Sequence, residues 1–137
     1  MEMADYTKQN LREDVEDMGP QFGFAPDMQA RFGRKPLGLA NSGVSYFKLA
    51  PGFRVPFGHA HEEQEEVYVV LSGSARVKAG DDVVELAELD AIRLPARMPH
   101  GMEAGPDGAE LLALGAPNTD NKDVEMLQDF WPPEEDS

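Results

Sequence analysis

The sequence predicts an all-β fold, a barrel or sandwich of about seven short strands, and three observations carry that reading. Eleven prolines and thirteen glycines are spread through the 137 residues and cut the chain into short segments, which suits strands and turns better than a helical bundle. From Gly43 onward the apolar residues recur with a period of two, the spacing of a half-buried strand. Between these runs lie turn-forming peptides, PG, SG, GDD, PAR and GPDG, whose Gly and Pro supply turn backbone angles. A mass of 15.0 kDa fits a single domain around one core.

The elements follow in order. NLREDVEDM, residues 10–18, reads as a short helix, with Asn10 as cap and Glu13 three positions on to close a capping box. Leu11, Val15 and Met18 share one face, and Gly19-Pro20 ends the run. Residues 20–40 are mixed and turn-rich, so residues 1–40 read as an arm wrapped on the domain. GVSYFKLA alternates Ser45, Phe47 and Leu49 with Val44, Tyr46 and Lys48, as a strand does. FRVPF, EVYVVLSG, SARVKAG, DVVEL, AIRLP and AELLALGA are the further strand candidates. LSGSARV and KAGDDVVEL read as hairpins, with Gly73 and Gly80 providing freedom for tight turns. The strand region spans 41–118, and 119–137 is an extension whose Phe130 and Trp131 should pack on the barrel before an acidic, frayed end.

Composition narrows the partners. Twenty-six acidic against twelve basic residues give a net charge of −14, which repels phosphate backbones and anionic lipid, so neither nucleic acid nor membrane is expected. MEMADYTKQNLRED holds no apolar core of a signal peptide, and no apolar run approaches membrane-spanning length. A cytoplasmic location is the expectation. Cysteine is absent, so any metal must be held by nitrogen and oxygen.

The chain has three histidines, and two of them stand one residue apart in GHAHEEQEE. On a strand, His59 and His61 project to the same face and aim at one point. Glu66 has the opposite parity to His61, but the polar EEQE between them readily turns or bulges. Glu66 then opens the strand EVYVVL on the inner face, with Tyr68 and Val70 beside it. Glu65 is its one competitor within this solvated acidic run, and the six-residue gap from Glu66 to Gly73 favours Glu66. The third histidine, His100, lies in LPARMPHGMEAG.

These spacings resemble the cupin superfamily. Its first motif, Gly, a short run, His-x-His, a few residues, Glu, six residues and Gly, is matched by Gly52, His59, His61, Glu66 and Gly73. The first gap is one residue longer than usual. Of the second motif, Pro95 and His100 match, while Arg97 replaces a Gly and Ala104 an Asn. The resemblance covers roughly residues 40 to 118 and implies a jelly-roll β-barrel in a small single-domain protein. It also implies one divalent transition metal held by His59, His61, Glu66 and His100. The donor set itself suits Fe, Mn, Co, Ni, Cu or Zn and disfavours calcium.

Around such an ion, Tyr68 is the candidate catalytic residue, and an ordinary core aromatic is its plainer reading. Tyr46, Lys48, Arg54 and Arg97 are candidates for binding a substrate, each with a surface or core role as the alternative. No nucleophile–base pair and no phosphate-binding Gly-rich loop is present, so a reaction would be led by the metal. Two functions stay open. One is a metalloenzyme of dioxygenase or isomerase type acting on a small organic molecule, and the other is a non-catalytic small-molecule-binding barrel. The resemblance also implies a homodimer, with the arm covering a neighbour's sheet edge.

Overall fold

A computed structural model describes residues 5–120 and 122–131. The acidic end expected to fray, residues 132–137, lies outside the described residues. Ten elements follow one another: α1 (Gly19–Phe22), β1 (Met28–Phe32), α2 (Arg34–Leu37), β2 (Gly43–Leu49), β3 (Gly58–His61), β4 (Glu65–Ala79), β5 (Asp82–Leu86), β6 (Ala91–Leu94), β7 (His100–Ala116) and β8 (Val124–Leu127). All strand pairs are antiparallel, and they form one curled sheet in the order β1-β2-β7-β3-β8, with β4 joining β7 to β5 and β6.

Strand β7 is the hub. Its first part, from His100, pairs with β3 and with the end of β4, and its second part lies between β2 and the start of β4. The expected hairpin at Gly73 is absent, because β4 runs unbroken through it. The irregularity falls on the partner instead: Gly73 faces Ala109 and Ala75 faces Ala104, so Gly-Pro-Asp-Gly at 105–108 bulges out of β7 opposite Ser74. Such a bulge sharpens twist and lets one long strand serve both sides of a barrel. Gly73 sits at φ 73°, and a Cβ there would lie 2.1 Å from the carbonyl oxygen of Gly108, so the close approach requires glycine. The KAGDDVVEL hairpin forms as the sequence predicts, with Ala79 opposite Asp82.

The arm differs from its expectation. Residues 11–14 make a single turn, in which Asn10 Oδ1 accepts the N–H groups of Arg12 and Glu13 at 3.0 Å. Asp14, rather than Glu13, closes the cap by accepting the N–H of Asn10 at 2.8 Å. The turn does not propagate because β1 competes for the chain beyond it. Arg31 donates to the carbonyl of Val15 at 2.6 Å, and Asp17 accepts the N–H of Ala30 at 2.9 Å. A short isolated helix lacks the stability to resist such contacts. The one-turn helix α1 begins at Gly19-Pro20, where the helix was expected to stop; proline is at home in a first helical turn.

Strand β1 pairs with β2 of its own chain, Met28 opposite Leu49, and Met28 and Ala30 join the core of Leu49, Val70, Val77, Leu94 and Leu111. At the other end, Trp131 is buried, and the Phe130 ring fills the space above Gly58, where a Cβ would stand 2.5 Å from it. Among the described residues no helix is long and apolar enough to cross a membrane.

Candidate metal centre

Three strands and one bend assemble the site. His59 on β3 and His100 on β7 are directly opposite across the ladder, with ring centroids 4.3 Å apart. His61 follows on the same face as His59, 5.3 Å away by ring centroid. Residues 62–64 then bend, and β4 starts with Glu65 outward and Glu66 inward. Glu66 is flanked in register by Leu94 and Gly115.

The three imidazoles converge on a single atom. Oε1 of Glu66 lies 3.3 Å from His59 Nε2, 3.2 Å from His61 Nε2 and 3.1 Å from His100 Nε2. Ligand atoms of His59, Glu66 and His100 all fall within 4.8 Å of one another. The far sides of two rings decide their chemistry. His100 Nδ1 faces the carbonyl oxygen of Met98 at 3.0 Å, and His61 Nδ1 faces Asp123 Oδ1 at 3.0 Å. Both partners only accept, so each Nδ1 carries a hydrogen and each neutral ring presents a bare lone pair at Nε2. Those lone pairs point at a carboxylate oxygen, which also has only lone pairs to offer. A cation must stand between them, either a proton on each ring or one metal ion shared by all.

The electrostatics describe the first alternative, with a proton on each Nε2. Burial works against the ionised form of Glu66, yet hydrogen bonds from His100, His59 and His61 hold its carboxyl well below the usual carboxylate range. The Glu66 hydrogen bond, opposed by burial and helped by Asp123, raises the His61 pKa. Burial lowers that of His59, against the pull of Glu66. The donors of His59, Glu66 and His100, without sulfur, fit a first-row divalent metal.

Asp123 was not foreseen. Its Oδ2 accepts the N–H groups of Glu63 at 2.9 Å and Gln64 at 3.1 Å, which shapes the bend that turns Glu66 inward. Its Oδ1 takes His61 and the hydroxyl of Thr119. Burial raises its pKa, but the bonds from Thr119, His61 and the two amides outweigh that and keep it ionised. One aspartate among many in an acidic extension carries no sequence signal for this role.

The other candidates are scattered. Tyr68 is 3 % exposed, its ring meets His100 edge-on at 5.5 Å, and burial with the nearby Glu66 charge raises its pKa well above the ordinary value. It lines a cavity of about 1170 Å³ that also reaches His59, His61 and Glu66. Tyr46, Lys48, Arg54 and Arg97 are not in that lining. Tyr46 faces the opposite side of the sheet and donates its hydroxyl to Glu110, and Lys48 is exposed. Arg54 pairs with Glu103 at 2.6 Å and stacks over Trp131 at 4.4 Å. Arg97 exposes its side chain and adopts φ 73°, the left-handed backbone of the glycine it replaces. Its N–H donates to the His61 carbonyl at 2.6 Å, so this loop acts on the site through its main chain.

The cupin domain family matches residues 45–115, just over half of the chain. The chain belongs to the cupin family. Among solved structures it is similar to a cupin protein from Bacteroides fragilis, with a TM-score of 0.68, 24 % identity, and 85 % of this chain and 88 % of that one covered. KdgF from Halomonas sp. gives a TM-score of 0.66 at 19 % identity, over 87 % of this chain and 98 % of that one. Oxalate decarboxylase from Bacillus subtilis gives 0.74 at 21 % identity, with 94 % of this chain covering 33 % of that much longer one. At such identities the likeness shows the fold. No curated protein matches the chain.

Proposed function

We propose that this cupin holds one divalent transition metal on His59, His61, Glu66 and His100 and uses it to bind and transform a small organic molecule. The observation that carries the reading is the convergence of lone pairs on Oε1 of Glu66, a geometry that one cation resolves. Bound there, such a metal supplies Lewis-acid or redox chemistry, and four protein ligands leave about two positions of an octahedral ion for other groups. The surrounding residues have defined tasks. Asp123 and the Met98 carbonyl fix the two rings so that Nε2 faces inward. Tyr68, held neutral by its burial, is a hydroxyl donor for a ligand oxygen and not a base.

The same neutrality of Tyr68 favours the second reading, a barrel that captures its ligand without turnover. The two part experimentally. Protein purified without an affinity tag should contain about one metal per chain by elemental analysis, and His59→Ala should lose it. Absence of metal from both preparations would refute the centre. With Fe(II) loaded, oxygen uptake or isomer formation on a panel of catechols, β-diketones and keto acids supports the enzyme. A co-purified ligand released unchanged supports the binding module.

A further inference from the structure

In the acidic run Glu62-Glu63-Gln64-Glu65-Glu66 one side chain is uncharged, and it is the one that closes the bend between two candidate ligands. Its place is defined by Gly115. Glu66 points inward and Gly115 is its partner across the ladder to β7, so the side of Gly115 where a side chain would stand also looks inward. The Gln64 carboxamide takes that space: a Cβ on Gly115 would lie 2.8 Å from its Cδ, 2.9 Å from Oε1 and 3.1 Å from Nε2. The φ of Gly115 is not positive, so its backbone does not demand glycine. What the missing side chain provides is a seat for Gln64.

The hydrogen bonds of Gln64 fix which way the amide lies. Its main-chain N–H donates to Asp123 Oδ2 at 3.1 Å, and Nε2 donates to the carbonyl oxygen of Pro117 at 3.1 Å. Turned over, the amide would set its own oxygen against that carbonyl, so Nε2 is the atom on Pro117 and Oε1 is the atom left over. Oε1 accepts no hydrogen bond among the described residues. Gln64, Gly115, His61 and Glu66 all line one cavity. The amide therefore brings a neutral acceptor with free lone pairs to the row that carries Glu66. A glutamate in this seat would have no hydrogen for Pro117 and would add a second anion beside Glu66, which a buried site resists.

We infer that Gln64 is a specificity-determining residue of the centre: its Oε1 accepts a hydrogen bond from the group that occupies the open metal positions. It favours a ligand that carries an N–H or O–H next to its coordinating atoms over one that carries none. This rests on the metal reading above, and Gly115 belongs to the device because any side chain there would displace the amide.

Calorimetric titration of the Zn(II)-loaded protein tests this, with zinc content measured first. The probes are acetohydroxamate and N-methylacetohydroxamate, which offer a metal the same two oxygens and differ in one N–H. Gln64→Met fills the seat without an acceptor and should cut the preference for the N–H form about five- to tenfold. Gly115→Ala drives the amide from its seat and should cut the preference to a similar extent. Zinc content should be unchanged in both variants, and the ordinary backbone of Gly115 lets alanine fold there. A preference that survives in either variant overturns the inference, since both remove the same acceptor from the same place. Protein that takes up no zinc refutes the metal reading and this inference with it. Zinc uptake with an unaltered preference overturns the inference alone.

Discussion

Strand β7 carries two kinds of carboxylate environment on its two faces. Outside, Glu103 accepts from Arg54 at 2.6 Å and Arg76 at 3.4 Å, and Glu110 accepts from Ser72 at 2.6 Å and from the hydroxyl of Tyr46. Every partner there is a donor. Inside, His100 and its neighbours surround Glu66 with nitrogens, two of which have given their only neutral hydrogen to Asp123 and Met98. The outer clusters are complete as folded, and the inner one is complete only with a cation. A buried polar group lacking a matching partner is costly, and the inner mismatch is one that a bound metal ion would relieve.

The contrast can be broken most severely at the centre. His100→Ala should lower metal affinity by more than about 100-fold, beyond the range for a residue that only supports a ligand, measured by competition with a chelator. Retained affinity would show that this imidazole is not a ligand. Asp123→Asn comes next. An amide in place of the carboxylate weakens the hold on His61 Nδ1–H but keeps the shape of the bend, and affinity should fall about 10- to 100-fold with the circular dichroism unchanged. If only stability moves, Asp123 shapes the loop and no more.

Acidity should separate the two faces. Imidazoles must be neutral to bind metal, so occupancy should be full near pH 8 and fall as pH drops through about 6.5. Glu110, held below the usual carboxylate range by Ser72 and then Tyr46, contributes stability that is present above about pH 4.3 and lost as pH falls through its depressed value. Tyr46, pushed up to about 12 by burial and then by Glu110, behaves oppositely. Its contribution is whole below about pH 10 and lost as pH rises through about 12. Between those limits the outer clusters hold while the centre empties. Metal content equal at pH 5 and pH 8 would contradict histidine coordination.

The smallest effect belongs to Tyr46→Phe. It removes one hydrogen bond from Glu110, which keeps Ser72, and should cost about 1 kcal/mol in chemical denaturation with metal content and ligand binding unchanged. Altered ligand affinity would instead support Tyr46 as a substrate-binding residue.

Much of the centre was legible because it is local. The period of two places His59 beside His61, and a polar bend before EVYVVL turns Glu66 rather than Glu65 inward. What misled was also local. Asn10 caps a real turn, but hydrogen bonds from Arg31 and to Asp17 stop it from growing into a helix. SG at 73 resembles a hairpin, yet the additional residues are on the partner strand, at 105–108.

By itself, then, the sequence determined the strand periodicity, the cupin motif and the facing of the first two histidines, because backbone stereochemistry sets these within a few residues. Only the tertiary structure decided that His59 faces His100, that Asp123 fixes His61, and that Gly115 lies opposite Glu66. Those facts depend on the register between strands far apart in the chain, which is set by the packing of the whole barrel and by no segment alone.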